Sequence, residues 1–200
     1  MFTGIIQHQG FFKSYRPAKG ELAVEVTSAF PPLETGESVA VDGACLTLVR
    51  REKDTLVFNL SRETLLKTNL GSLHGKESLN LELPLTLQTP LSGHLVTGHI
   101  DGQGRVLRVV GRPSGRRVTF SFPRPLRPYF VPKGSVAVNG VSLTVAEVRA
   151  ASFDVELIPL TMAKSNLKDL KPGRTVNLEC DIIGKYVYNW AFRGKPGPED

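Results

Sequence analysis

The chain is poor in cysteine, in metal-ligand patterns and in long apolar runs. Its two cysteines, Cys45 and Cys180, cannot form the disulfide framework of a small secreted fold. No window approaches the roughly 18 consecutive apolar residues that a membrane-spanning helix needs, so no membrane partner is expected. His94, His99 and Cys45 fit no zinc spacing, and no metal is expected. The opening Met1-Phe-Thr-Gly-Ile-Ile6 carries neither a basic n-region nor a small-residue cleavage site, so a cytoplasmic location is expected. Acidic residues are absent between Asp101 and Glu147, where Arg105, Arg108, Arg112, Arg116, Arg117, Arg124, Arg127 and Lys133 carry much of the net charge of +6. A basic tract can mark a nucleic-acid surface. This one is interrupted by Gly111, Pro113, Gly115, Pro123, Pro125 and Pro128, and no stacking-aromatic motif accompanies it. It reads as a solvated hairpin, with no nucleic-acid partner expected.

What the chain does have is a repeat. Val39-Ala-Val-Asp-Gly-Ala-Cys-Leu-Thr47 returns 97 residues later as Val136-Ala-Val-Asn-Gly-Val-Ser-Leu-Thr144. Aligned without a gap, Ser38–Glu82 and Ser135–Glu179 share 16 of 45 positions, among them Thr64/Thr161, Asn69/Asn166 and Asn80-Leu-Glu82/Asn177-Leu-Glu179. A second match pairs Thr3-Gly4 with Thr97-Gly98. A period this long implies two copies of one small domain rather than a solenoid. The boundaries read as residues 1–88 for the first copy, 89–183 for the second and 184–200 for a short C-terminal helix and tail, with Pro84–Pro90 as the connector. Each copy is long enough for a small core of its own.

Both copies of the central stretch read as tight hairpins. Asp42-Gly43 and Asn139-Gly140 supply the positive φ angles of a type I′ turn. Strand side chains alternate between faces. Ala44, Leu46 and Leu48, like Val141, Leu143 and Val145, should therefore line a core. Cys45 and Thr47, like Ser142 and Thr144, should face solvent or a groove.

In order, Gly4–Phe12, Leu22–Val26, Ser38–Val41, Ala44–Arg50, Thr55–Leu60 and Ser78–Leu83 read as strands, with a short helix from Ser61 to Lys67 capped by Ser61. The second copy repeats this through His94–Val110, Arg117–Phe122, Tyr129–Pro132, Ser135–Val138, Val141–Val148, Phe153–Ile158, Thr161–Leu167 and Thr175–Cys180. Ile182–Arg193 is the one later helix expected, ended by Gly194, Pro196 and Pro198. Many short strands separated by turn signals indicate a sandwich or a barrel.

Taken together, Met1-Phe-Thr-Gly-Ile, the Gly-Ala-Cys-Leu-Thr and Gly-Val-Ser-Leu-Thr pair, Ser92-Gly-His-Leu-Val-Thr-Gly-His-Ile-Asp-Gly102 and Glu63-Thr-Leu…Thr68-Asn-Leu resemble riboflavin synthase over residues 1 to about 185. The resemblance implies an all-β fold: two tandem six-stranded antiparallel Greek-key β-barrels, a short C-terminal helix and a homotrimer. It implies that two molecules of 6,7-dimethyl-8-ribityllumazine exchange a four-carbon unit, giving riboflavin and a 5-amino-6-ribitylamino-pyrimidinedione. It implies no cofactor and no metal, and lumazine synthase as a further partner. A dismutation needs two sites that hold one molecule and treat it differently, which a duplication supplies. The copies differ at polar positions expected to be exposed: Cys45 against Ser142, Asp42 against Asn139, Ile5 against His99, and Ser61-Arg62 against Ile158-Pro159.

Carried over by motif, the implied catalytic residues are Cys45, His99, Ser142 and Thr144. Implied substrate contacts in the first copy are Gly4, Ile5 and Ile6, then Leu46 and Thr47, then Asn59, Leu60, Ser61, Arg62, Glu63 and Thr64. In the second copy they are Gly98 and Ile100, then Lys133 and Leu143, then Glu156, Leu157, Ile158, Pro159, Leu160 and Thr161. His99 is suited to moving the acidic C7-methyl proton of the lumazine, or is a hydrogen-bonded surface group. Cys45 adds to a ring carbon as thiolate or only touches the ring. Ser142 activates a nucleophile or only donates to the ligand. His94 reads as structural. The chain departs from the family at Asn139, where the second copy of many members carries Asp, and in its short Gly- and Pro-rich tail after Ile183. Two other readings stand beside the enzyme: a lumazine or flavin carrier of the same duplicated fold, and an anion- or nucleic-acid-binding module using the Arg105–Lys133 tract.

Overall fold

The computed structural model describes residues 1–193. Its first six strands are β1 (His8–Arg16), β2 (Glu21–Val26), β3 (Ser38–Val41), β4 (Ala44–Glu52), β5 (Thr55–Asn59) and β6 (Ser78–Glu82), with a short helix α1 (Arg62–Lys67) between β5 and β6. They close into an antiparallel barrel in the order β1-β2-β5-β4-β3-β6. The second half repeats this with β7 (Gly102–Arg112), β8 (Gly115–Ser121), β9 (Ser135–Val138), β10 (Val141–Val148), β11 (Ser152–Leu157), α2 (Pro159–Lys164) and β12 (Thr175–Cys180), closed as β10-β11-β8-β7-β12-β9. In each barrel three hairpin-linked strands are joined to a fourth that returns by a long connection, the Greek-key arrangement. A C-terminal helix, α3 (Ile182–Arg193), follows.

Period-two alternation drives the closure. Along β4, Ala44, Leu46 and Leu48 are buried, whereas Cys45 is half-buried and Thr47 exposed. Along β10, Val141, Leu143 and Val145 are buried, and Thr144 is exposed. The faces follow the sequence pattern in both copies. The turn residues have the positive φ that the hairpins require: Asp42 44°, Gly43 83°, Asn139 46° and Gly140 77°. Each barrel fills its own interior, the first around Leu22, Leu48, Leu56 and Phe58, the second around Phe120, Phe153, Val155 and Leu157. Burying each such side chain contributes about 1.5–3 kcal/mol.

Two local expectations are corrected. The opening residues of each copy are not strand: β1 begins at His8 and β7 at Gly102, so Gly4–Gln7 and His94–Asp101 are free to run elsewhere. Ile182–Arg193 is not the only later helix, because Pro159 sits in the first turn of α2, where its missing N–H costs nothing. The arginine tract lies on the β7–β8 hairpin and the turn after it, as expected. Residues 194–200, the end of the expected tail, lie outside the described residues.

The barrels meet about a pseudo-two-fold axis on which equivalent residues face each other. Phe2 pairs with Val96, and a Cβ on Gly43 would lie 2.6 Å from the amide nitrogen of Gly140. Around the axis runs a ring of buried amides. The Asn69 amide donates to Asn177 Oδ1 at 2.8 Å, and the Asn166 amide to Asn80 Oδ1 at 2.7 Å. Asn80 Nδ2 reaches the Asn139 carbonyl, and Asn177 Nδ2 the Asp42 carbonyl. Asp42 and Asn139 belong to this ring, Asp42 accepting from the backbone amide of Asn80 on β6 and Asn139 from that of Asn177 on β12. They are 2% and 3% exposed, which corrects their expected place among the exposed differences between the copies. Their alternation was read correctly, but the opposite barrel covers the turn.

Candidate ligand sites

The non-strand openings of the two repeats exchange places. The Cys45 amide, in the first barrel, donates to the Gly98 carbonyl at 2.9 Å, and the Ser142 amide, in the second, to the Gly4 carbonyl at 2.8 Å. Both glycines have positive φ, 76° at Gly4 and 84° at Gly98. A Cβ would sit 2.6 Å from Ser142 Cβ in one case and 2.4 Å from Cys45 Cβ in the other, so only glycine fits. Ile6 accordingly packs on the second barrel's core and Ile100 on the first's. The sequence reading grouped Gly4–Ile6 with Cys45 and Gly98–Ile100 with Ser142. The structure crosses them, placing His99 beside Cys45 and Ile5 beside the Ser142 strand.

Around Cys45 lies an open cavity of about 430 Å³, walled by Ala44, Cys45, Ser61, Glu63, Thr64, Lys67, Thr68, Gly98, His99 and Ile100. The α1 end of the wall is set by capping. Ser61 Oγ accepts from the Thr64 amide at 3.0 Å and lies 2.8 Å from Thr64 Oγ1. Of the residues expected in the first copy, Cys45, Ser61, Glu63 and Thr64 come together here. Leu46 and Leu60 turn into the core, while Thr47, Asn59 and Arg62 are exposed outside these walls. Ala44, Lys67 and Thr68 were not singled out. The signal was present in the repeat, which keeps lysine at Lys67/Lys164 and a hydroxyl at Thr68/Ser165.

The second barrel presents the equivalent positions with different chemistry. Ile158 and Leu160 stand where the first barrel has Ser61 and Glu63, and Ile5 stands where it has His99. All three are exposed, so this patch is apolar where the first cavity is polar. Thr161 is retained and half-buried. Leu143 and Leu157 are core residues, and Thr144, Glu156 and Pro159 are exposed. Glu156 pairs with Arg117 at 3.3 Å. Lys133 has a φ of 67°, and its amide donates to the Val145 carbonyl at 2.8 Å.

His94 was read as structural from sequence. In the structure its Nδ1 lies 2.7 Å from Ser142 Oγ. Gly93 lets it approach: a Cβ there would be 2.1 Å from the Thr3 carbonyl oxygen. Burial lowers the pKa of the ring and keeps it neutral near pH 7, although Asp181 pulls the other way. Among the described residues no histidine is hydrogen-bonded to Cys45. The two sites therefore differ in a titratable group as well as in polarity. The described residues contain no cluster of three or more potential metal ligands, and no helix among them is long and apolar enough to cross a membrane.

Comparison with known proteins also finds a repeat. The Lumazine binding domain matches twice, at residues 3–84 and 97–181, so each match opens on a crossing segment, at Thr3 or Thr97. A riboflavin synthase of Actinobacillus pleuropneumoniae is 35% identical over 202 residues, covering 100% of this chain and 93% of that one. A riboflavin synthase of Chlamydia muridarum is 39% identical over 198 residues, covering 96% of each. The chain belongs to the riboflavin synthase family. The riboflavin synthase of Bacillus subtilis, 32% identical, likewise covers 96% of this chain. Among solved structures, LumP complexed with riboflavin superposes with a TM-score of 0.81 at 25% identity, covering 90% of this chain and 99% of that one. LumP complexed with 6,7-dimethyl-8-(1′-D-ribityl) lumazine gives 0.79 at 24% identity. The riboflavin synthase relatives, matched from end to end at higher identity, carry more weight for this chain than the LumP fold.

Proposed function

We propose that this chain catalyses the dismutation of 6,7-dimethyl-8-ribityllumazine, moving a four-carbon unit from one molecule to another to release riboflavin and a pyrimidinedione. The observation that carries the reading is the pair of equivalent sites with unequal chemistry: Cys45 and His99 against a polar wall in one, His94-supported Ser142 against an apolar wall in the other. One ligand type is held twice, and the difference in walls separates donor from acceptor. His99 accepts and returns the C7-methyl proton. Cys45 and Ser142 face the two rings, and Thr144 lies beside Ser142 on the same strand face. The remaining motif residues contact the ring edges and ribityl chains through backbone groups and hydroxyls. No metal or cofactor takes part. Aligning the two rings contributes several kcal/mol toward the barrier by itself.

The active unit is a homotrimer in which the first barrel of one subunit faces the second barrel of its neighbour. The exposed side of α3 supports assembly: Ile183, Tyr186, Val187 and Trp190 recur at helical spacing and are all exposed in the single chain. The protein works in the cytoplasm, where lumazine synthase would supply the substrate. The test is incubation of the purified full chain with the lumazine after treatment with a chelator. Riboflavin should appear with no added metal or nucleotide. Tight binding of lumazine or riboflavin without turnover would overturn the reading and assign the chain to the carriers.

A further inference from the structure

Two buried glutamates lie behind the crossing segments. Glu82 ends β6 of the first barrel. Its Oε1 accepts from the Thr3 amide and the Thr3 hydroxyl, both at 2.6 Å, and its Oε2 from the Gly4 amide at 3.0 Å. Glu179, near the end of β12 in the second barrel, does the same. Its Oε1 accepts from the Thr97 amide and hydroxyl, both at 2.7 Å, and its Oε2 from the Gly98 amide at 3.0 Å. Each threonine hydroxyl passes the contact on. Thr3 Oγ1 accepts from the Ile5 amide at 3.0 Å, and Thr97 Oγ1 from the His99 amide at 3.3 Å. Both carboxylates are almost fully buried, and neither makes a salt bridge among the described residues. A buried carboxylate without a direct salt bridge is costly unless its oxygens are filled. Here the fill comes from the segment that walls a ligand site.

We propose that Glu82 and Glu179 are positioning residues, each holding the wall of the ligand site on the barrel opposite its own. Glu179 stands in the second barrel but fixes Gly98 and His99 over Cys45 in the first. Glu82 stands in the first barrel but fixes Gly4 and Ile5 over Ser142 in the second. Glutamine is nearly isosteric but cannot serve. Whichever way its amide turns, N–H donors face a backbone N–H, that of the glycine or that of the threonine, where only an acceptor fits. The first-barrel wall is also pinned at its far end. Asp101 Oδ2 accepts from the Cys180 amide at 2.7 Å, and Asp101 Oδ1 pairs with Lys185 of α3 at 2.7 Å. The inference rests on reading the crossings as site walls, and its test uses no lumazine.

The experiment measures alkylation by iodoacetamide, resolved by peptide mass, at Cys45 and at the thiol introduced by Ser142→Cys. Rates are compared where Cys180, buried in the second barrel, stays unlabelled. Glu179→Gln should speed alkylation at Cys45 roughly tenfold, the factor carried by about one charge-assisted hydrogen bond, and leave the thiol at position 142 within about twofold. Glu82→Gln should do the reverse. Thr97→Val and Thr3→Val remove only the hydroxyl link and should show the same crossed selectivity more weakly. They decide the matter if either glutamine chain fails to fold. Equal acceleration at both positions would reduce the glutamates to general stability residues and overturn the proposal. So would acceleration confined to the glutamate's own barrel, or unchanged rates in all folded variants.

Discussion

His94 Nδ1 lies 2.7 Å from Ser142 Oγ, while its Nε2 is buried with no partner among the described residues. The contact joins a residue just after the inter-repeat connector to the strand where the second repeat departs from the first. Neutral imidazole can accept the serine proton, and burial favours the neutral form.

His94→Ala removes that acceptor and leaves Ser142 unpaired in its pocket. Turnover should fall by about 100-fold, the lower end of what a lost acid–base partner costs, while the melting temperature drops by only a few degrees. His94→Asn, which keeps an acceptor near Nδ1, should recover part of the loss at Ser142. Steady-state rates with circular dichroism check both variants.

Asp42 gives a pH prediction. Its carboxyl is pushed up to about 7, chiefly by burial, with the Asn80 amide and Asn166 side chain pulling it down and Arg174 and Glu77 adding smaller opposing effects. The folded-state pKa lies above the unfolded value of 3.8, so between about pH 4 and 7 the folded chain binds more protons than the unfolded one. The associated stability is present at low pH and lost as pH rises through about 7. The repeat supplies the cure. Asn139 Nδ2 donates to Asn166 Oδ1 at 3.4 Å, whereas the equivalent acceptor, Asn69 Oδ1, is buried without a donor among the described residues. Asp42→Asn should supply that donor and raise stability at pH 8 by about 1–3 kcal/mol, with a smaller gain at pH 5. Urea melts at the two pH values measure the difference. An equal gain at both would mean that Asp42 does not titrate in this range.

Much of this was legible in the sequence. The internal repeat implied two domains and the family resemblance two barrels, while the period-two pattern around Leu46 and Leu143 placed Cys45 and Ser142 on the faces turned from the core. Ser61 was readable as a cap because its chemistry is local. The crossing of Gly4 and Gly98 was not readable, since a segment that leaves its own sheet keeps no alternation to follow. Nor was the burial of Asp42, because an Asp-Gly turn looks alike whether it meets water or another turn. His94 escaped because its partner lies 48 residues away and its own neighbours describe only a loop. Glu82 and Glu179 stood out as a repeated Asn-Leu-Glu, but their roles depend on segments about 80 residues distant.

Trp190, the one tryptophan of the chain, reports assembly. It is 80% exposed in the single chain and shares its helix face with Val187. If the chain trimerises through this face, its emission should be blue-shifted and shielded from iodide. Val187→Asp should return the protein to a species near 21.9 kDa by light scattering, with red-shifted emission and activity lost together. A Val187→Asp chain that stays trimeric and active would show that α3 is not the contact.

The shared site can be tested by mixing damaged chains. Cys45→Ala impairs the first barrel and leaves the second intact, and Ser142→Ala does the opposite. Suppose each homotrimer is inactive. If a site joins the first barrel of one subunit to the second of its neighbour, co-refolding creates some contacts where an intact first barrel, from a Ser142→Ala chain, meets an intact second barrel, from a Cys45→Ala chain. Activity should then return to a fraction of the wild-type rate that depends on the mixing ratio and peaks near equal amounts. If both barrels of a site came from one chain, every site in every mixture would carry one lesion, and no ratio would restore activity. Mass spectrometry of intact oligomers must show mixed species before the negative result counts. With mixed oligomers present, the absence of recovery would rule out the shared site. The arrangement also requires that Val187→Asp in one partner abolish the recovery, because chains that do not assemble cannot lend each other a barrel.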